Sequence, residues 1–390
     1  MNANIMHCNS IDLDKNKSFC ILPFIHLHVN ENDSIKPCCF SAKLDKKYSQ
    51  EFDFYSDLEF TKIRTKMLNG EPIPQCTNCY NIEKNNLQSF RIRDTTEWLE
   101  KLNIKNFNEV IPNLIYYDVR NDNLCNLSCR MCYPGASSQL EKEYTQLGWS
   151  ILPASRRSQL SEIVNYNTIQ QLYIAGGEPT LMPEFKKFLK KAIRLGRTDI
   201  HLRIITNGTN VNQEILNLLK KFKTIDVTIS LDGYDQVNRY IRWPSDWSTI
   251  DKNIDKLKSL TSNISFNVTV SIWNITSISK LVKYLESKFD QPTIFLNEVM
   301  FSGKINYSAD NFPNKKLAID DLNLLKNTKT YQNEYYFKDK VDYLITQMQN
   351  TQVNIKDLQD FFDYNDALDK SRNIKLQDYI PELEKCRPLF

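Results

Sequence analysis

The chain of 390 residues lacks any apolar run near the ~20 residues that a membrane span requires. Its opening stretch, MNANIMHCNSIDLDKNK, lacks the charged, apolar and small-residue segments of a signal peptide. Nor is there a block of one charge sign. Lysine and arginine number 50 against 47 Asp and Glu, a net charge of +3 spread along the chain, so the basic footprint of a nucleic-acid binder is absent. Internal repeats and low-complexity linkers are missing too. Histidine is scarce, four in all, which leaves few nitrogen ligands for zinc. What remains is the balance of a globular protein, 41% hydrophobic and 25% charged. The expectation is a cytoplasmic chain of two or three domains, with neither membrane nor nucleic acid as partner.

Cysteine is what the chain does have. Four of the ten, Cys20, Cys38, Cys76 and Cys79, stand before residue 80 with Cys39 beside them. Cys125, Cys129 and Cys132 crowd into eight residues, and Cys8 and Cys386 lie apart. In a cytosolic chain of this size, close cysteines are more often metal ligands than disulfides. Two groups suggest two metal sites.

From residue 114 to about 298, β-rich runs alternate with helical patterns. LIYYDVRN, IQQLYIAG, DIHLRIIT, TIDVTISL, NISFNVTVSIW and PTIFLNEV are the runs. After the second, Phe185, Phe188, Leu189, Ala192 and Ile193 share one helical face, with Pro183 at the start and Gly196 just past the end. Six such units predict an α/β fold with a parallel sheet, an open sheet or part of a barrel. Residues 1–112 have no such rhythm. Beyond 300 the pattern is helical, with Val341, Leu344, Ile345 and Met348 on one face, and the expectation is an appendage on the core. The predicted divisions are 1–112, 113–300 and 301–390.

The trio lies in NLCNLSCRMCYPGASS, directly after the first run of the series. Loops at the C-terminal ends of parallel strands carry the chemistry of such sheets. A closed zinc site or a protein-held iron–sulfur cluster wants four ligands, whereas three leave one metal position open. A zinc knuckle borrowing a distant histidine is the competing explanation. After the second run comes AGGEPTL, where Gly176 and Gly177 permit close approach to the backbone and Glu178 offers a carboxylate to an ammonium group.

Taken together, these two motifs resemble the radical S-adenosylmethionine (SAM) superfamily, whose signature is Cys-x3-Cys-x-Φ-Cys followed by Gly-Gly-Glu-Pro. Met131 stands as Φ and Pro179 completes the second motif. The resemblance implies a partial (β/α)6 barrel over about 113–298, with Cys125, Cys129 and Cys132 holding a [4Fe–4S] cluster whose open iron is chelated by SAM. It further implies that Glu178 and the Gly176–Gly177 backbone hold the SAM ammonium. SLDG followed by RYIR looks like the family's Ser-x-Asp-Gly stretch with its arginine, matching Ser230, Asp232 and Arg242. Asn207 and Asn274 are further candidate polar contacts, or ordinary turn asparagines.

The stretch containing Cys20, Cys38, Cys76 and Cys79 resembles the auxiliary-cluster modules called twitch and SPASM, which hold a second [4Fe–4S] cluster. It departs from them by preceding the barrel and by lacking the hairpin glycine around Asp33–Ser34. Zinc is chemically possible there as well, and Cys38 and Cys39 compete as the ligand. His26 and His28, alternating on one strand face, are expected to be structural.

The implied activity is reductive cleavage of SAM to a 5′-deoxyadenosyl radical that takes hydrogen from a substrate. Modification of a peptide or protein is the favoured reading, with oxidation of a small alcohol or aminocyclitol as the alternative. A low-potential donor such as flavodoxin or ferredoxin would supply electrons. A non-enzymatic iron–sulfur or zinc protein is the rival from another class, and it has no use for a Gly-Gly-Glu-Pro motif.

Overall fold

Eight strands make one sheet in the computed structural model, which describes residues 13, 15–30, 32–84, 88–120, 122–151, 158–299 and 305–387. They are β1 (His26–Val29), β2 (Ile35–Lys36), β3 (Tyr116–Val119), β4 (Gln171–Ile174), β5 (His201–Thr206), β6 (Ile225–Ser230), β7 (Ile264–Val270) and β8 (Thr293–Glu298). Their spatial order is β2-β1-β3-β4-β5-β6-β7-β8. Every pairing is parallel except the β1–β2 hairpin. Among the described residues β2 and β8 remain separate edges, so the sheet is open. The α/β class and the parallel sheet are as the sequence predicts.

The sheet has one parallel strand more than the six predicted. His26 to Val29 pairs in register with Tyr116 to Val119, and the helices Leu58–Leu68, Thr77–Lys84 and Phe90–Lys101 form the crossover. The sheet therefore runs through residue 112, where composition suggests a boundary. The strand escapes a local reading because it is four residues long and all four are buried, two of them histidines. Its place depends on a partner 90 residues away.

Alternation along β5, β6 and β7 positions everything else. Leu202, Ile204, Val227, Ile229, Phe266 and Val268 are buried, while Arg203, Asp226, Thr228, Ser265 and Asn267 on the other face are half-buried. Successive side chains of a strand point to opposite faces, so one face is sealed and the other is polar and half-open. Helix Pro183–Arg194 shows how the sealed face is covered. Phe185, Phe188, Leu189 and Ala192 are buried on one side, and each large apolar side chain removed from water contributes roughly 1.5–3 kcal/mol. Gly196 ends this helix at φ +71°, with its successor's N–H returning to Ala192 O at 2.9 Å. In the C-terminal region the predicted face of Val341, Leu344, Ile345 and Met348 is buried in helix Tyr335–Asn350.

Candidate cluster and cofactor site

The three cysteines follow β3 at its C-terminal end, in a loop that closes at helix Ser138–Gln146. The loop is stitched from several sides. Ser128 and Arg130 donate backbone N–H groups to Trp243 O (2.6 Å) and Ile241 O (2.8 Å), and Ser138 N–H reaches Asn123 O at 2.7 Å. Burial pushes the Cys125 and Cys132 thiols up to about 12, with neighbouring thiols of the trio adding to it; Cys129 is also raised by burial. Left alone they stay protonated, and a bound cation is what would make them thiolates. Donors already face the sulfur: Leu127 N–H lies 3.5 Å and Asn207 Nδ2 3.9 Å from Cys125 Sγ. Three soft ligands with sulfur-directed donors suit an iron–sulfur cluster with one open iron. Among the described residues no three His, Cys, Asp or Glu side chains form a group placed to hold a single metal ion.

The Gly-Gly-Glu strap joins this loop differently from the expectation. A Cβ on Gly177 would sit 2.3 Å from Leu124 O, and one on Gly176, at φ +112°, 2.8 Å from Asp122 O. The close approach is thus to the cysteine loop's own backbone. Gly177 and Glu178 donate their N–H groups to Asp122 O (2.8 Å) and Leu124 O (2.7 Å). Glu178 is fully buried and accepts from Thr180 N–H and Oγ1, Thr206 Oγ1 and Asn207 N–H, at 2.7–3.2 Å. Burial raises its pKa, and these four donors oppose the shift. The carboxylate therefore ties the ends of β4 and β5 together. Its Oε2 accepts from Asn207 N–H, which leaves a lone pair of that oxygen for an ammonium group. Pro179 is buried and opens the turn Pro179–Leu181.

Asp232 and Arg242 come together as a buried ion pair, Arg242 Nε to Asp232 Oδ2 at 2.6 Å, near Cys129. Asp232 Oδ1 also accepts from Thr269 N–H at 2.8 Å. Ser230 is half-buried at the end of β6, opposite Asn267. Met131 is half-buried against the core. Asn274 departs from the expected polar contact. It is wholly buried, donates to Asp232 O and Thr269 O at 2.8 Å, and accepts from Ser271 N–H at 2.8 Å. Its amide is spent on the fold.

In the N-terminal region, Cys20 before helix Leu22–Ile25, Cys38 after β2, Cys76 in the turn Pro74–Cys76 and Cys79 on helix Thr77–Lys84 meet. Burial raises all four thiols, and Cys20 feels Cys76 and Cys79, while Cys76 feels Cys38 and Cys79. Cys39, pushed up to about 11 by burial, has Asp118, Arg120, Asp94 and Lys36 as its main charged neighbours. Cys38 feels Cys39 first and then Cys20 and Cys79, so it stands between its neighbour and the other N-terminal thiols. His26 Nδ1 lies 2.8 Å from Pro37 O and His28 Nδ1 3.0 Å from Asp118 Oδ2, both buried structural positions. Cys386 contacts Glu382 O at 3.3 Å, and Cys8 lies outside the described residues.

A third side of the site was not predicted. Arg130, between Cys129 and Met131, is wholly buried beneath the loop. Its guanidinium stacks 3.5 Å from the Tyr240 ring centroid and donates to Tyr240 O (2.8 Å), Asn365 Oδ1 (3.1 Å) and Asp369. Tyr364 donates to Arg130 O at 2.6 Å, and Arg372 to Ser128 O at 2.8 Å. Helix Ile355–Arg372, expected as an appendage, grips the cysteine loop. The available signal was the spacing of Asn365, Asp369 and Arg372, which puts them on one face of the helix with apolar Phe361, Phe362 and Leu368 nearby in the chain. A surface cleft of about 560 Å³ lined by Tyr234, Arg239, Trp247 and Tyr284 lies apart from these residues. No helix among the described residues is long and apolar enough to cross a membrane.

Residues 123–285 match the family model of the radical SAM superfamily. Its members are enzymes that use a [4Fe–4S] cluster and SAM. Over 162 residues the chain is 24% identical to the sporulation killing factor maturation protein SkfB of Bacillus subtilis, covering 41% of this chain and 37% of that one. Over 115 residues it is 30% identical to the S-adenosylmethionine-dependent nucleotide dehydratase of Flammeovirga pacifica, covering 28% of this chain and 35% of that one. The chain spans about a third of the length of these curated relatives. The solved structure of native anSMEcpe with bound AdoMet and Cp18Cys peptide aligns with 60% of this chain and 62% of its own, at 19% identity and a TM-score of 0.38.

Proposed function

We propose that this chain, whose residues 123–285 match the radical SAM family model, modifies a peptide or protein. The observation that carries the chemistry is the three-thiol loop bonded backbone to backbone with the Gly-Gly-Glu strap. Support for a polymeric substrate comes from the open sheet, whose edges β2 and β8 leave the polar face accessible along one side. The likeness to a protein named for maturation points the same way.

In this reading Cys125, Cys129 and Cys132 hold three irons, and Asn207 and Leu127 N–H steady the charge on Cys125. When bound, cluster and SAM supply a carbon radical able to take hydrogen from an unactivated C–H bond. Glu178 and the glycine strap fix the loop against β4 and β5, with the free lone pair of Oε2 directed to the SAM ammonium. Arg242, tethered by Asp232, offers its remaining donors to the SAM carboxylate, and Ser230 its hydroxyl. Arg130 and helix Ile355–Arg372 hold the loop from below and keep water out. The N-terminal four thiols would hold a second [4Fe–4S] cluster, which would supply an electron acceptor or a ligand for the substrate. A flavodoxin or ferredoxin of the cytoplasm would supply electrons, a compartment that suits a chain whose nine cysteines among the described residues are all free.

A nucleotide substrate is the second reading, favoured by the likeness to the nucleotide dehydratase. Anaerobic incubation with SAM, dithionite and candidate peptides or nucleotides, followed by product mass spectrometry, separates the two. A mass change in a peptide is the expected result. Conversion of a nucleotide with every peptide unchanged would reject the reading.

A further inference from the structure

The half-open face of the sheet carries a row of charges that neither thiol group accounts for. Register places Lys36, His28, Asp118, Tyr173, Arg203 and Asp226 side by side across six strands. Arg120, two residues beyond Asp118, falls on the same face. The guanidinium carbons of Arg120 and Arg203 stand 5.5 Å and 5.9 Å from the Tyr173 ring centroid, so two cations flank one phenol.

Most of each guanidinium fork is unspent. A guanidinium has five N–H donors in a fixed plane. Arg120 gives two to Asp118, from Nε at 3.2 Å and Nη2 at 3.5 Å, and Arg203 Nε lies 3.5 Å from Asp226. Both side chains keep about a third of their surface exposed, 32% and 31%, although they sit on an inner face. The two carboxylates are already shared, Asp118 with His28 and Asp226 with His201 at 2.9 Å. Lys36 spends its ammonium on neutral acceptors, Cys39 O (2.9 Å) and Ser41 O (3.2 Å). Within the row three Lys and Arg charges meet two carboxylates, while Glu97 and Asp94 of helix Phe90–Lys101 act on Arg203 from outside it.

A solvated ion ladder would explain paired charges, but not open forks on both sides of a ring. We propose that this face binds an oxyanion of the substrate between Arg120 and Arg203, above Tyr173. Resting on the peptide reading above, we assign it to the carboxylate of an acidic residue or a chain end. Arginine forks favour such planar groups through paired, charge-assisted hydrogen bonds. The site would seat the substrate by its charge, below the loop that carries the chemistry.

The test uses the full chain with isotope-labelled arginine, following the Nε–Hε resonances of Arg120 and Arg203. Arg120→Lys and Arg203→Lys assign the signals by their loss. The probes are acetyl-Ala-Glu-Ala-amide, its glutamine counterpart and uridine monophosphate. The glutamate peptide should move both resonances saturably and the glutamine peptide should not. Arg203→Lys keeps the charge but loses the fork, and should weaken binding about tenfold or more while the other arginine signals hold their positions. Movement by uridine monophosphate alone would retain the oxyanion site yet overturn its peptide source. Unmoved signals with both oxyanions, or equal affinity for the glutamate and glutamine peptides, would overturn the site itself.

Discussion

The two thiol groups are built in opposite ways. The barrel trio comes from one loop of eight residues, with its ligands adjacent in sequence and its supports brought in from elsewhere. Backbone donors reach it from Gly177 and Glu178, carbonyls from Ile241 and Trp243, and side chains from helix Ile355–Arg372. The N-terminal four come from three separate segments, so the ligands themselves are the long-range contacts. Buried Arg91 helps gather them, pairing with Glu83 and donating to Phe19 O at 2.6 Å. In the proposed reading a pre-assembled trio would leave one metal position for SAM, whereas a gathered foursome would close its metal and staple the chain. The same ligand chemistry would then serve a reaction in one place and assembly or electron storage in the other.

The sharpest way to break this contrast is to remove each group in turn. Cys125, Cys129 and Cys132 changed together to alanine should reduce 5′-deoxyadenosine formation to background while about four irons remain bound. Cys76→Ala with Cys79→Ala should likewise leave about four irons and spare uncoupled SAM cleavage, yet stop substrate conversion. Iron analysis and chromatography of the anaerobically reconstituted variants read both results. One zinc per chain at the N-terminal site would make that region a structural cap.

Arg130→Met probes the outside support of the trio. It strips buried Asp369 and Asn365 of their cation, and breaking a buried pair costs about 3–5 kcal/mol. Urea denaturation should show that loss, together with a lower iron content of the barrel site. Unchanged stability would mean that helix Ile355–Arg372 only rests against the loop.

A smaller effect tests the strand that joins the two regions. Burial lowers His26 from 6.5 to about 4, so it stays neutral in the fold. Below pH 6.5 the unfolded chain takes up a proton that the folded chain refuses. Stability is therefore full above 6.5 and falls as pH drops toward 4, by up to about 3 kcal/mol. His26→Gln, which keeps a donor for Pro37 O, should flatten the change in urea midpoint between pH 7 and pH 5.

The smallest effect separates two adjacent thiols. Cys39→Ala should leave iron content unchanged, because Cys39 faces Asp118 and Arg120, whereas Cys38→Ala should lower it. Equal loss from both would show that the pair shares the metal.

The sequence by itself determined the α/β class, six of the parallel strands and the three-cysteine loop with its strap. These are local signals, because period, turn chemistry and ligand spacing are all read within a few residues. Only the tertiary structure decided the rest. The strand with His26 and His28 reveals itself by pairing with Tyr116 to Val119, and a four-residue buried strand has too short a pattern to announce its partner. Gly176 and Gly177 are legible as places of close approach, but what approaches, the backbone of Asp122 and Leu124, is set by how two strand ends meet. Spacing cannot distinguish Cys38 from its neighbour Cys39, because the charged neighbours of Cys39, Asp118 and Arg120, lie far off in sequence. Helix Ile355–Arg372 becomes part of the site because Asn365 and Asp369 reach Arg130 across more than 230 residues, and the spacing of these polar residues along one helix face cannot name that partner.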